Sequence, residues 1–368
     1  MNFNVFIPVR IISGVGCVKN NQDKLILGKK AFIVTGKSGA AKSGALDDVI
    51  SVLDSNGIAW THFNGCRENP LLTDCFEAGK MAAEFGADFI IAIGGGSAID
   101  SAKAIAAFAT NGGISAMDIF DEKKLANDPL ALIAIPTTSG TGSEANGTAV
   151  MSLPDGVSKR SFGGERHWPC VSFLDPRYTY SLGHYSSVSC ALDAFAHAME
   201  SYLSPKSTEV SRMFAVYAAK NIWEILRSEP KAFSENERAI LQAASCAAGI
   251  NISITGTGFP HPLGYSLTML DGVPHGAACA VFYGEYIAYN MRSEEGRELI
   301  ESFCENIGAE AEALATVLPK LANVDLSLDE DGIKKRVDLI VGAKNYVNSP
   351  YVLSDGEKYE IYKKLFLK

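Results

Sequence analysis

The chain has 368 residues, enough for two domains of ordinary size and a sizeable packed core. With 47% hydrophobic and 20% charged residues it lies in the globular range, which excludes a disordered linker or a fibre. A net charge of −9 disfavours polyanionic partners, so neither nucleic acid nor an anionic membrane is expected. The apolar runs 89–93 and 130–135 are far shorter than the roughly 20 residues of a membrane span. The start, MNFNVFIPVRIISG, lacks the basic stretch and long apolar core of an export signal. Eight cysteines without CxxC spacing read as reduced thiols filling core, so the expected location is cytoplasmic.

In chain order, AFIVTG (31–36) is a buried strand ended by Gly36, after which Leu46, Ile50 and Leu53 recur at helical spacing until Asn56 and Gly57. A second unit has a helix through Cys75 to Phe85, a turn at 86–88, the strand FIIAI, and the glycine run Gly94, Gly95, Gly96. In a third, LALIAI is closed by Pro136. This alternation predicts an α/β fold whose N-terminal domain is a parallel sheet covered by helices. From about Ser181 to His184 β-branched runs become scarce, and Ala-rich segments such as CALDAFAHAMESYL and RAILQAASCAAGI take over. An all-helical C-terminal domain is expected, with domains at 1–183 and 184–368.

GGGSAID (94–100) follows a strand and opens a helix, where backbone N–H groups can face a phosphate. The spacing is not GxGxxG, so a tight turn is the competing reading, and Asp100 could simply be an acidic residue favoured by the helix dipole. PTTSGTGSEAN (136–146), again after a strand, crowds hydroxyls and glycines between Thr137 and Ser143. It could wrap a polar ligand or be an ordinary capped turn. Two such loops at the carboxyl ends of strands in one sheet favour the ligand, because open sheets bind there.

Asp193 and His197, four apart in CALDAFAHAMESY, share a helix face with Glu200 one turn further on. That spacing suits two metal ligands, although such a pair is more often an ordinary helical side-chain pair. His261 stands between Pro260 and Pro262, and is expected just ahead of a helix that Pro262 starts; His275 stands between Pro274 and Gly276.

Taken in order, IVTGK, Asn69-Pro70, GGGSAID, PTTSGTGSE, Lys159, Leu174-Asp175-Pro176, DAFAHAMESY, FPHPLGY and VPHG make the sequence resemble the iron-containing, or group III, alcohol dehydrogenases over nearly its whole length. The resemblance implies a dehydroquinate synthase-like architecture: a nucleotide-binding α/β domain, a helical domain, and an active site in the cleft between them. It implies a metal-dependent, NAD(P)-linked alcohol dehydrogenase or aldehyde reductase, passing hydride between nicotinamide and a small primary alcohol or aldehyde. The ligands of Fe2+, or Zn2+, would be Asp193, His197, His261 and His275. Cofactor contacts carry over onto Gly95, Gly96, Ser97, Thr137, Thr138, Thr141 and Lys159, with Gly94 and Asp100 in the same segment and Asn69 and Leu182 near the adenosine end. Thr148, Phe162 and Ile252 would line the substrate pocket, and a homodimer or larger homo-oligomer is expected.

Three positions depart from the family pattern. Tyr265 stands where many members carry a second histidine suspected of relaying protons, which makes Tyr265 the candidate for that task. Asn146 replaces a usual threonine, and Gly36 replaces the aspartate of NAD-preferring members. Glycine removes a carboxylate that would repel a 2′-phosphate, and Lys37, Ser38 and Lys42 lie close by, so NADP is expected over NAD. The rival readings are glycerol-dehydrogenase-like polyol oxidation and, in a different class, a sugar-phosphate cyclase-type lyase. The lyase is disfavoured because FPHPLGYSLTMLDGVPHG has no Lys or Arg to grip a phosphate.

Overall fold

A strand buried on both faces needs apolar residues at every position, and the three apolar runs meet that demand side by side. The computed structural model describes residues 3–368. Its strands are β1 (Arg10–Ser13), β2 (Lys30–Gly36), β3 (Ala59–Cys66), β4 (Phe89–Gly94), β5 (Ala131–Pro136), β6 (Thr148–Ser152), β7 (Lys159–Gly163) and β8 (Val171–Leu174). Six of them form one parallel sheet in the order β1-β8-β5-β4-β2-β3, while β6 and β7 make an antiparallel hairpin. Ile90 and Ala92 of β4 join Phe32 and Val34 of β2 in one core. Phe89, Ile91 and Ile93 join Ala31 and Ile33 in a second core on the opposite face. Each large side chain so buried contributes roughly 1.5–3 kcal/mol.

β1, β3, β8 and the hairpin lack the long apolar run that marks β2, β4 and β5. In β3, an edge strand, only Cys66 is buried, so AWTHFNGC reads as mixed; VSFL in β8 is wholly buried but four residues long. β3 lies on one side of β2 and β4 on the other, so the chain changes its direction of travel across the sheet between them. The carboxyl ends of β2 and β4, at Gly36 and Gly94, adjoin at this switch point, the place where open α/β sheets hold ligands. Gly94 is in register with Pro136, which brings the start of the hydroxyl loop alongside.

The chain divides into two compact units, Asn4–Leu182 with Ser234–Cys246, and Gly183–Phe233 with Ala247–Lys368. Beyond Gly183 no strand occurs among the described residues. The Ala-rich segments become the long helices His184–Leu203 and Glu235–Thr255. Among the described residues, no single helix is long and apolar enough to cross a membrane.

One local expectation is corrected. Pro260, not Pro262, takes the first position of the helix Pro260–Asp271, with Phe259 as its N-cap, so His261 lies inside the first turn rather than ahead of the helix. Both prolines fit because the first-turn N–H groups have no intrahelical acceptor to lose.

Candidate functional site

Asp193 and His197 project from the helix His184–Leu203, His261 from Pro260–Asp271, and His275 from the first position of His275–Ala280. The Nε2 atoms of His197, His261 and His275 each lie 3.7 Å from a single atom, Oδ1 of Asp193. That is beyond hydrogen-bond reach and near the roughly 3.4 Å edge of a tetrahedron with ~2.1 Å metal–ligand bonds. Glycine permits the convergence. A Cβ on Gly276 would come within 1.8 Å of the Ser189 carbonyl oxygen and 2.8 Å of the Asp193 Cβ, so the His275 helix can press on the Asp193 helix only without a side chain. Ser189 Oγ also accepts the Ala277 N–H at 3.1 Å.

His261 shows whether a cation fits. Its Nδ1 is 2.8 Å from Glu200, which fixes the ring, while its buried Nε2 has no hydrogen-bond partner. Leaving such an atom unmet costs about 1–3 kcal/mol, and a divalent ion among these donors would satisfy it. Glu200, fully buried, also accepts the Gly258 N–H at 2.7 Å and the Tyr283 hydroxyl at 3.3 Å. Burial works to lower the His261 pKa, but the Glu200 carboxylate and then Asp193 outweigh it, and the net shift is upward. The same negative field suits a metal cation. Asp193, His197 and His261 are buried, whereas the His275 side chain is 32% exposed and marks the open side. Tyr265 stacks on His275 with ring centroids 6.0 Å apart, and burial pushes its hydroxyl well above the usual phenol range, so it keeps its proton.

The other group of expected residues gathers in the sheet unit. Gly94 has φ of 155°, and Gly95 is the N-cap of the helix Gly96–Thr110 with no side chain capping it. A Cβ on Gly95 would lie 3.2 Å from Thr138, and one on Gly96 2.6 Å from Oγ1 of Thr141. The glycine run and hydroxyl loop are thus in contact, tied by the Thr137 N–H to Gly94 carbonyl bond of 2.9 Å, and the helix start keeps its backbone donors clear for an anion. Lys159 donates to Asn69 Oδ1 at 2.7 Å, bringing those two candidates together. Leu182 is half-buried, its carbonyl accepting from Arg238 at 3.3 Å. Gly36 ends β2 and Ser38 lies just beyond it, exposed.

Asp100 is oriented inward. Its carboxylate accepts from the Ser143 hydroxyl and from the Val150 N–H at 2.9 Å, with Lys103 at 3.8 Å, so it braces the hydroxyl loop against β6. Burial raises its pKa against those partners. Lys103 was not among the expected residues. Its buried ammonium donates to the Ser143 carbonyl and hydroxyl at 2.8 Å each, to Thr148 O at 2.7 Å and to Asn146 Oδ1 at 3.2 Å. Burial lowers its pKa to about 8, and burial likewise raises that of Glu144 to about 7. Asn146, the second departure, also donates to Gly142 O at 3.0 Å and so clamps the loop.

Residues 8–176 match the sequence profile of iron-containing alcohol dehydrogenases, and residues 187–364 that of the family's C-terminal domain. The chain belongs to the iron-containing alcohol dehydrogenase family. It is an NAD(P)-linked oxidoreductase acting on alcohols and aldehydes. Within the family it is 28% identical to a sulfoacetaldehyde reductase of Bilophila wadsworthia over 94% of this chain and 89% of that one. It is 29% identical to an NADPH-dependent aldehyde reductase, YqhD, of Escherichia coli, over 76% and 74% of the two chains. A crystal structure of an iron-containing alcohol dehydrogenase from Thermotoga maritima superposes with a TM-score of 0.90 at 31% identity, covering 99% of each chain. In this chain a six-stranded parallel sheet precedes a helical region. Two residues of this family member that sequence reasoning left aside are Lys103 and Cys279, which lies within 4.8 Å of donor atoms of Asp193, His261 and His275. A lysine amid FIIAIGGGSAIDSAKAIAAF offered a signal, since a charge on a helix so rich in alanine and isoleucine needs partners.

Proposed function

We propose that Asp193, His197, His261 and His275 hold one divalent ion, Fe2+ or Zn2+, and that the glycine run and hydroxyl loop hold a dinucleotide, NADP in preference to NAD, for interconversion of a small primary alcohol and its aldehyde. The observation that carries this reading is the placing of three imidazole nitrogens 3.7 Å from one buried Asp193 oxygen, with only His275 of the three reaching solvent. When bound, the ion supplies Lewis acidity that favours alkoxide or a polarised carbonyl, and the nicotinamide gives or takes the hydride.

The chain's own groups position these partners. Glu200 fixes the His261 ring with Nε2 toward Asp193, and the Tyr265 ring lies against His275, fixing the one ligand that reaches solvent. Tyr265, holding its proton, is the candidate to relay a proton between the substrate oxygen and solvent. Bare N–H groups at the start of Gly96–Thr110 suit the pyrophosphate, and the hydroxyls of Thr137, Thr138 and Thr141 offer donors beside them. Lys159, braced by Asn69, adds positive charge near the hairpin.

The NADP preference rests on Gly36. Its φ is not positive, and a Cβ there would meet only the Cys66 carbonyl oxygen, at an ordinary 3.5 Å. Neither backbone nor space demands glycine, so the missing carboxylate is a matter of charge at the switch point. Lys37, Ser38 and Lys42 are exposed beside it. Eight cysteines, with no disulfide between them among the described residues, support a reducing compartment.

The deciding experiment is His275→Ala. Turnover should be abolished and metal content fall below the wild-type stoichiometry, with cofactor affinity retained. Unchanged metal content in the folded variant would sink the assignment.

A further inference from the structure

Cys279 lies beside the four proposed ligands without a role in the reading above. It follows His275 by four residues in the helix His275–Ala280, so its side chain falls on the same face. The residue is fully buried, and Sγ is 4.0 Å from His275 Nε2. Sγ and one donor atom each from Asp193, His261 and His275 all lie within 4.8 Å of one another. Packing brings it there: a Cβ on Gly264 would come within 2.8 Å of Ala278 O and 3.0 Å of Cys279 N, so glycine alone lets the His261 helix close over this turn. The second observation is His261 itself, 3% exposed, whose Nε2 has no hydrogen-bond partner and belongs to the same four-donor group. A thiol serving only as filler has carbon around it; three of the groups around this one are nitrogen or oxygen donors.

We propose that Cys279 is a sulfur donor to the same ion, joining Asp193 and the histidines and biasing the site toward thiolate-accepting ions such as zinc over harder ions such as manganese. The inference rests on the reading that Asp193 and the three histidines hold that ion. On uptake the S–H bond breaks, the proton passes to solvent, and a sulfur lone pair forms the bond to the ion; no electron changes hands. Three imidazoles already favour zinc over manganese, and a soft thiolate widens that preference.

Cobalt(II) is the probe, loaded into the full-length chain. The expected result is one cobalt per chain with a thiolate-to-cobalt charge-transfer band in the near ultraviolet. Cys279→Ser should remove that band while cobalt stoichiometry and the visible ligand-field bands persist, and Cys279→Ala serves as the second variant should a buried hydroxyl disturb folding. In competition between Zn2+ and Mn2+, the wild-type preference for zinc should fall at least tenfold in either variant. Stoichiometric cobalt without the charge-transfer band in the wild type overturns the sulfur donor and leaves the aspartate–histidine reading standing. A band that survives in both variants belongs to another thiol and also overturns it. A chain that takes up no cobalt overturns both readings.

Discussion

The loops proposed to hold the nucleotide display main chain, whereas the cluster proposed to hold the metal is assembled from side chains. Around Gly94, Gly95 and Gly96 the useful groups are backbone N–H donors, and glycine keeps them accessible. Around Asp193 the useful groups are a carboxylate and three imidazoles, and glycine acts at one remove, as at Gly276, by letting helices approach. The same residue type thus serves access in one unit and spacing in the other. A side chain added in the first should obstruct a ligand, and in the second should move the scaffold itself.

The largest effect tests spacing. Gly276→Ala places a Cβ 1.8 Å from the Ser189 carbonyl oxygen, an overlap that only helix displacement relieves. It should cost about 3 kcal/mol of stability and lower metal content while cofactor affinity holds, as read by thermal unfolding, metal analysis and cofactor titration. Loss of cofactor affinity at full metal content would reverse the comparison.

Next in size is a pH effect confined to the nucleotide unit. Burial raises the Glu144 carboxyl from 4.5 to about 7, so between those values the folded chain holds a proton that the unfolded chain has released. Stability therefore falls as pH rises through that window. In Glu144→Gln the decline should flatten, by on the order of 2 kcal/mol between its ends, in denaturant titrations at several pH values. An identical slope in the variant would show that Glu144 titrates normally.

Access is tested by Gly95→Val. Its Cβ would lie 3.2 Å from Thr138, and its branches would stand where the anion approaches. The cofactor dissociation constant should rise at least tenfold, about 1.4 kcal/mol, at unchanged metal content. Titration of the folded variant gives the answer directly, and unaltered affinity there would count against backbone recognition. The smallest change in scaffold is Gly36→Asp, which fits without a clash. The ratio of kcat/KM with NADPH to that with NADH, measured on one aldehyde, should exceed one in the wild type and drop in the variant. A wild-type preference for NADH removes the argument from Gly36.

Legibility in the sequence followed the physics of each part. β2, β4 and β5 were readable because two-sided burial writes a continuous apolar run, and the loops after β4 and β5 were readable because glycine and hydroxyls cluster at strand ends. Asp193 and His197 were visible as a helical pair, but their meeting with His261 and His275 is long-range, and only the resemblance joined them in advance. β3 was hidden by its edge position and β8 by its brevity. Asp100 looked like a phosphate neighbour, yet its carboxylate is spent on Ser143 and Val150, a pairing 43 and 50 residues away that no local pattern encodes. Cys279 was passed over as filler since a buried thiol and a donor thiol look alike until their neighbours are known.

The contact at Gly276 has a consequence for time as well as for space. Where the His275 helix meets the Ser189 carbonyl, the separation is set by main-chain atoms, which have no rotamers to explore. The backbones carrying these donors cannot part easily at such a joint, and Glu200 holds the His261 ring against turning. An ion could leave only past His275, or by parting the helices. Exchange with free metal should therefore be slow even where equilibrium affinity is modest, because residence time is governed by how tightly two backbones are packed and not by how strongly any one ligand binds.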